Sequence, residues 1–301
     1  MTQGLGKTGI SIVIPNYNGA NLLKKNLPSL FLSLNKCGLP YEVIVSDDNS
    51  TDTSIEFLTA NYPEIIITQT DKNSGFSSNC NNGIQHANYS FCCITNTDVT
   101  FTKDYFINAL KYFGDTAVFA VKGDIHNYQG DFENIINIER DVRLYFKRGF
   151  LRFAHTYDPD NTDFDLQFSL LGCCFICRTD ILKSLKGYNE IFSPYYWEDS
   201  DLALRAIEQG YSVIYVPECV VYHEISSTIS STQSKTKRQL ISRRNKFIFC
   251  WLHLKSLKRW VTHLGFIVLS LMTRWLILDW KYYVALTMAV EKFISHNRDN
   301  K

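Results

Sequence analysis

With 301 residues and a formal net charge of +1, the chain can hold one large domain or one domain with an appendage, and it lacks the basic excess of a dedicated nucleic-acid binder. Its 45% hydrophobic and 20% charged content is that of a globular protein. Nine cysteines in so long a chain, set in apolar runs such as YSFCCITN and LLGCCFICR, exclude a small disulfide scaffold and predict buried reduced thiols.

The N-terminal MTQGLGKTG has no apolar core of a signal peptide, which together with the thiols predicts a cytoplasmic setting. ISIVIP (Ile10 to Pro15) reads as a buried strand, followed by a helix through NGANLLKKNLPSLFLSLNK with a kink or break at Pro28. Tyr41 to Val45 is a second strand and Thr53 to Asn61 a helix. EIIITQT is a third strand, NSGFSSNCNNGIQHA a turn into a helix, and YSFCCITNTD a fourth strand. Strands alternating with helices, each strand continuously apolar, predict an α/β fold with a mainly parallel sheet.

Between Ala117 and Phe168 the pattern loosens, with a helix expected over Ile135 to Lys147. FSLLGCCFICR, YSVIYVP and CVVYHE follow as further strands. SSTISSTQSKTK is small and polar, a flexible connection. Beyond it nine Lys and Arg residues, from Lys235 to Arg259, accumulate without an acid before Asp279, and the apolar VTHLGFIVLSLMTRWLIL comes next.

In a parallel sheet the ligand lies at the carboxyl ends of the strands, where PNYN, SDDNSTD and NTDV all fall. Asp47 and Asp48 there can accept hydrogen bonds from a base or ribose; Ser50, Asp52 and Thr53 equally suit a helix-capping turn. Asp98 closes Asn96-Thr97-Asp98, an Asx turn or a place for Mg2+ or Mn2+, and the lone His223 can join it as a nitrogen ligand. Asn73, Gly75, Asn79, Asn82 and Gly83 surround a helix start whose N–H groups suit a diphosphate. Neither a Walker loop nor GxGxxG is present. The window Tyr195-Tyr196-Trp197-Glu198-Asp199-Ser200-Asp201 crowds three carboxylates, either as a helix start capped by Ser200 or Asp199 or as a reactive cluster. The CCxxC of Cys173, Cys174 and Cys177 lacks further ligands for zinc.

SIVIPNYNG, VIVSDDNSTD, NSGFSSNCNNGI, ITNTDV, YYWEDSDLALRAIEQGYSVIYVP and VVYHE, in this order from Ile10 to Glu224, resemble the family 2 glycosyltransferases. The likeness is greatest to bacterial rhamnosyl- and galactofuranosyltransferases of surface polysaccharide synthesis. It implies an inverting enzyme with the GT-A fold, a Rossmann-like mixed, mainly parallel sheet flanked by helices. Pro15, Asn16, Asp47 and Asp48 would line the nucleotide pocket, and Asn73, Gly75, Asn79, Asn82, Asn96 and Thr97 would border the donor. Asp98 and His223 would hold Mn2+ or Mg2+, although Asn96 stands where the family's DxD motif often has an acid. Asp199 matches the family's general base, with Glu198 as the rival, and Trp197 would stack on the acceptor or pack under the loop.

The implied partners are a nucleotide-diphosphate sugar donor and a saccharide or lipid-linked saccharide acceptor, in surface polysaccharide biosynthesis. The expected division is a catalytic domain over 1–225 and a C-terminal helical appendage over 226–301, carrying a lid loop. That appendage either touches the inner membrane surface or packs on the catalytic domain; His263 and Arg274 interrupt it as a transmembrane span. Arg243 and Arg244 are candidates to fold over a bound diphosphate. A nucleotidyltransferase and an inert nucleotide- or sugar-binding module are the alternatives, the first lacking its basic glycine-rich signature.

Overall fold

The computed structural model describes residues 7–154, 166–168, 171–225 and 234–299. Most of the polar connection, at 226–233, and with it the expected lid loop, lies outside the described residues.

The first strand β1 (Lys7–Asn16) is flanked by two parallel neighbours, β2 (Tyr41–Asp47) and β4 (Tyr89–Thr95), and β3 (Ile66–Gln69) adds in parallel to β2. Beyond β4 come β12 (Cys174–Arg178), antiparallel, then β6 (Val118–Lys122) and β13 (Ser212–Tyr215), parallel to each other. The seven-stranded order is β13-β6-β12-β4-β1-β2-β3, the mixed, mainly parallel sheet that the alternating pattern predicts. Ile10, Ile12, Val13, Val43 to Val45 and Cys92 to Ile94 are all buried, because both faces of the sheet are covered.

Helix α1 (Ala20–Cys37) runs through Pro28 without a break, against expectation. Leu23, Leu27, Leu30 and Leu34 are each at most 2% exposed along its inner face. Burying four such side chains at about 1.5–3 kcal/mol each outweighs the roughly 3 kcal/mol cost of a proline inside a helix. Helices α2 (Ser54–Asn61), α3 (Phe76–Gln85), α4 (Tyr105–Leu110), α5 (Thr179–Ser184) and α6 (Glu198–Glu208) complete the layers.

The helix expected over Ile135 to Lys147 is absent. That stretch forms β8 (Asp131–Glu139) and β9 (Val142–Lys147). The first belongs to a small sheet ordered β5-β14-β7-β8, with β5 (Val99–Phe101), β14 (Val221–Glu224) and β7 (Ile125–Gln129); the second pairs with β10 (Phe150–Ala154) and β11 (Leu166–Phe168). Pairing of β8 with β7 satisfies its backbone although its side chains are largely exposed, so no buried face stamps a period on the sequence.

Three C-terminal helices follow: α7 (Lys235–His253), α8 (Leu257–Thr273) and α9 (Trp280–Asp299). Phe247 to Cys250 of α7 and Tyr282, Ala285 and Ala289 of α9 join one hydrophobic cluster with Val142, Leu151, Leu202 and Phe192. Helix α8 is different. His263 is fully buried, bonded to Trp251 Nε1 at 3.0 Å and to the Gly149 carbonyl at 2.6 Å, while Val261, Leu264, Val268 and Met272 are exposed. By length and composition Leu257–Ile277 could cross a membrane, yet one side is pinned to the β9–β10 hairpin through His263.

Candidate active site

The ends of β1 and β2 meet through side chains. Asn16 Nδ2 donates to Asp47 Oδ1 at 2.7 Å, and Asp47 also accepts from the Ser50 N–H and hydroxyl at 2.9 and 2.6 Å. Asp48 accepts from Thr70 Oγ1 at 2.9 Å and from the N–H groups of Ser74 and Gly75 at 2.8 and 2.9 Å. Both carboxylates are buried and shape the turns around the strand ends, with Pro15 one residue before Asn16. The capping expected in this segment falls to Asp52, whose Oδ1 accepts from Ser54 N and Oγ and whose Oδ2 accepts from Ala20 N at the start of α1.

At the start of α3, Phe76 N–H donates to the Pro194 carbonyl, so three N–H groups of this turn already have internal acceptors. Gly75 has φ +92°, and a Cβ there would lie 2.9 Å from Pro194 Cα, a close approach that requires glycine. Asn79 Nδ2 donates to the Asn16 carbonyl at 3.2 Å, leaving its buried Oδ1 without a donor. Asn82 bonds Ser46 Oγ and Thr68 Oγ1, both at 3.0 Å, beneath the sheet's edge, while Asn73 is exposed at the mouth of the turn.

The Asn96-Thr97-Asp98 turn lies between β4 and β5, and the Thr97 carbonyl accepts from Asn26 Nδ2 at 2.8 Å. Pairing of β14 with β5 brings His223 beside Asp98, with Nε2 3.4 Å from Oδ1. On its other side His223 Nδ1 is 2.6 Å from Asn127 Oδ1, and Asn127 Nδ2 donates to Glu139 Oε1 at 2.9 Å. With Nδ1–H donating to Asn127, the Nε2 lone pair faces a carboxylate, an arrangement that needs a proton or a cation between them. Burial pulls the His223 pKa down, but the hydrogen bond and charge of Asp98 outweigh it and the net shift is upward. One carboxylate and one imidazole fit a hard or borderline divalent cation whose other positions stay open to ligand oxygens and water. Among the described residues no group of three or more His, Cys, Asp or Glu forms a closed metal cage. All nine cysteines are free, as expected.

The acidic window forms the start of α6, and the helix begins at Glu198, not at the expected caps Ser200 or Asp199. Tyr196 and Trp197 precede it with φ of +77° and +80°, two consecutive non-glycine residues in the left-handed region. Such strain costs about 1–3 kcal/mol per residue and concentrates at functional loops. Asp199, partly exposed, accepts from Ser200 N–H at 2.7 Å and from Gly172 N–H at 3.2 Å. Glu198 is 7% exposed and its Oε2 has no donor. Burial, then the charge of Asp199, pushes its carboxyl up to about 8; burial also raises Asp199, against the two N–H groups that favour its anion. Asp201, the third acid, turns inward to Arg205 Nε at 2.7 Å and His253 Nε2 at 2.9 Å, docking α7 on α6.

The two acidic centres share a support. Asn96 N–H donates to the Cys173 carbonyl at 3.0 Å, and the preceding Gly172 donates to Asp199. The Asp98 turn and the Asp199 carboxylate are therefore held by adjacent residues of one segment, and Glu139 acts electrostatically on both His223 and Asp199.

Helix α7 buttresses the strained loop. Asn245 Nδ2 lies 2.7, 3.0 and 2.8 Å from the carbonyls of Phe192, Tyr195 and Tyr196, and Arg244 donates to the carbonyls of Phe192 and Ser193. Arg243 pairs with Asp279 at 2.6 Å. Trp197 packs between Phe153 and Phe249, with ring centroids 5.5 and 5.1 Å away. Sequence reasoning missed Asn127, Glu139, Gly172 and Asn245. None of them carried a readable signal; Asn245 itself sits in the polar run Arg243-Arg244-Asn245-Lys246.

The sequence profile described as glycosyl transferase family 2 matches residues 11–186. The fold is similar to that of the mannosyltransferase PcManGT from Pyrobaculum calidifontis in complex with GDP-Man and Mn2+, at 18% identity and a TM-score of 0.55, covering 94% of this chain and 74% of that one. S. aureus TarS 1-349 in complex with UDP-GlcNAc aligns at 16% identity and a TM-score of 0.60, over 95% of this chain and 81% of that one. GalNAc-T7 with UDP, GalNAc and Mn2+ aligns at 13% identity and a TM-score of 0.57, over 80% and 47%. At these identities the likeness is one of fold. No curated protein sequence matches the chain.

Proposed function

The chain belongs to glycosyl transferase family 2, and from that premise we propose that it transfers a sugar from a nucleotide-diphosphate donor to a saccharide acceptor with inversion. The observation that carries this reading is the joint support of Asp98 and Asp199 by Gly172 and Cys173 at the strand ends. Solved structures of the same fold hold GDP-Man with Mn2+, UDP-GlcNAc, and UDP with GalNAc and Mn2+.

Asp199 is the general base. A base must be ionised and within reach of the acceptor hydroxyl, and Asp199 is partly exposed with two N–H groups supporting its anion. Glu198, held up to about 8 and closed off from solvent, keeps its proton at neutral pH. The acceptor oxygen attacks the anomeric carbon, its proton passes to Asp199, and the bond from that carbon to the donor diphosphate breaks in the same displacement. Asp98 and His223 would hold the divalent cation, with Asn127 fixing the imidazole. When bound, that cation offsets charge on the departing diphosphate. Asn16, Asp47 and Asp48 form the wall against which the nucleotide lies, and Asn79 braces it by donating from Nδ2 to the Asn16 carbonyl.

The acceptor is lipid-linked and the enzyme works at an anionic membrane surface. Supporting this, the end of α8 and the turn after it expose Val268, Met272, Trp275 and Leu278, and the start of the same helix carries Lys258 and Arg259. With one face fixed to the protein, that ridge suits lying in the interface.

Thermal shift with UDP, GDP, dTDP and CMP, each with Mn2+ or EDTA, tests the donor site. One nucleotide should raise the melting temperature in Mn2+ and lose most of that effect in EDTA. Asp199→Asn should keep the shift and lose transfer by about 1,000-fold or more. Unchanged transfer would remove Asp199 as the base, and no shift with any nucleotide would overturn the donor class.

A further inference from the structure

An open cleft of about 570 Å³ lies between α7 and the strained loop, lined by Tyr196, Lys235, Arg238, Gln239, Ser242 and Arg243. That volume falls within the roughly 300–1,000 Å³ of small-molecule sites. Lys235, Arg238, Gln239 and Ser242 follow helical spacing and so occupy one face of α7. Among the described residues no acid lines the cleft. Arg243 pairs with Asp279, which Arg274 also engages, and Lys281 approaches the rim through its 2.7 Å bond to Gln239. Among these residues the cations outnumber the one carboxylate, Asp279.

Arg238 adds a sharper indication. Its Nε is buried yet has no acceptor, a desolvation cost that an incoming anion would remove. Arginine forks with neighbouring Lys and Ser donors are the chemistry of phosphate recognition. The position is equally specific. Tyr196 lines the cleft and precedes Asp199, in the first turn of α6, by three residues, whereas Asp98 lies in the turn before β5 and His223 on β14. An anion in the cleft is thus next to the acid loop from the α7 side.

We propose that this cleft binds the phosphate of a phosphate-bearing acceptor, through Lys235, Arg238 and Arg243. The assignment rests on the transferase reading above and adds what the acceptor must carry. A phosphate held there tethers the acceptor, leaving the sugar hydroxyl to be presented to Asp199. The phosphate belongs to a lipid carrier or to a soluble sugar phosphate, which share this chemistry.

Binding of farnesyl diphosphate and of inorganic pyrophosphate to the full chain in EDTA, read by tryptophan fluorescence, tests the proposal. Wild type should bind, and Lys235→Ala and Arg238→Ala should each weaken binding about tenfold, with more in the double variant. Nucleotide affinity in Mn2+ should be unchanged in all three, which also reports that they are folded. Tighter binding of farnesyl diphosphate than of pyrophosphate supports a lipid carrier, and equal binding supports a soluble phosphate. Absence of wild-type binding, equal affinity in the double variant, or displacement of the probe by the nucleotide with Mn2+ would each overturn the cleft as an acceptor site. Failure of every nucleotide to bind would instead overturn the transferase reading, and the EDTA measurements are independent of it.

Discussion

Replacing Glu198 by Gln should stabilise the protein and flatten its dependence on pH. The folded carboxyl holds its proton up to about 8, whereas the unfolded one releases it near 4.5. Between those values the folded state binds more protons, so stability is full below 4.5 and falls as pH rises toward 8. The slope is about 1.36 kcal/mol per pH unit, which places the loss near 3 kcal/mol at neutral pH, to order of magnitude. Burial is the main cause, and the groups facing the carboxyl (Asp199, Asp201, the Cys80 thiol and the Tyr188 hydroxyl) bring no positive charge. Glutamine has nearly the same shape as the protonated acid and has no proton to lose. At about 2 °C per kcal/mol for a large domain, the melting temperature should rise by roughly 6 °C near pH 7. Melting curves of both proteins should converge at pH 4.5 and diverge steadily to pH 8. Parallel curves, or a lower melting temperature for the variant at pH 8, would refute the inference that Glu198 is buried and neutral. Transfer should survive in this variant, because the base is its neighbour.

Asn127→Leu should weaken Mn2+ binding about 10–100-fold while leaving metal-free nucleotide binding intact, since Asn127 only orients His223; isothermal titration would measure it. Asp201→Ala should cost about 3 kcal/mol or more in urea unfolding, because it leaves Arg205 without its carboxylate and the buried His253 with only the more distant Glu208. Gly123→Ala should cost at least about 3 kcal/mol, since its Cβ would lie 1.5 Å from the Cys219 carbonyl oxygen and the backbone must move. Wild type should co-sediment with vesicles containing anionic lipid, and Leu264→Asp with Met272→Asp should lose that binding without loss of nucleotide affinity.

The strands at the heart of the sheet were legible because burial on both faces leaves runs such as ISIVIP and YEVIV with no alternative. Strand ends then located Asn16, Asp47 and Asp98 without any fold in hand. The β8–β9 stretch was not legible. Ile135, Ile138, Val142 and Tyr145 fall three or four apart, so chance helical spacing stood where an exposed strand imposes no period of its own. Pro28 misled for the converse reason, a local preference overridden by the leucines packed around it. Supporting residues such as Asn127 and Gly172 act through partners distant in sequence, Asn127 from 96 residues away and Gly172 from 27, and no local pattern announces such pairs.

Asn245 also sets an order of events during synthesis. The chain emerges from the ribosome N-terminus first, and the sheet, the Asp98 turn and the acid window can all assemble before α7 is free. The loop carrying the consecutive left-handed residues Tyr196 and Trp197 is held at Phe192, Ser193, Tyr195 and Tyr196 by Asn245 and Arg244, which arrive later. A nascent chain ending near residue 225 would carry the sheet with its loop unlocked. Competence for chemistry is thus deferred until the last helices dock, so an incomplete product lacks a finished catalytic loop.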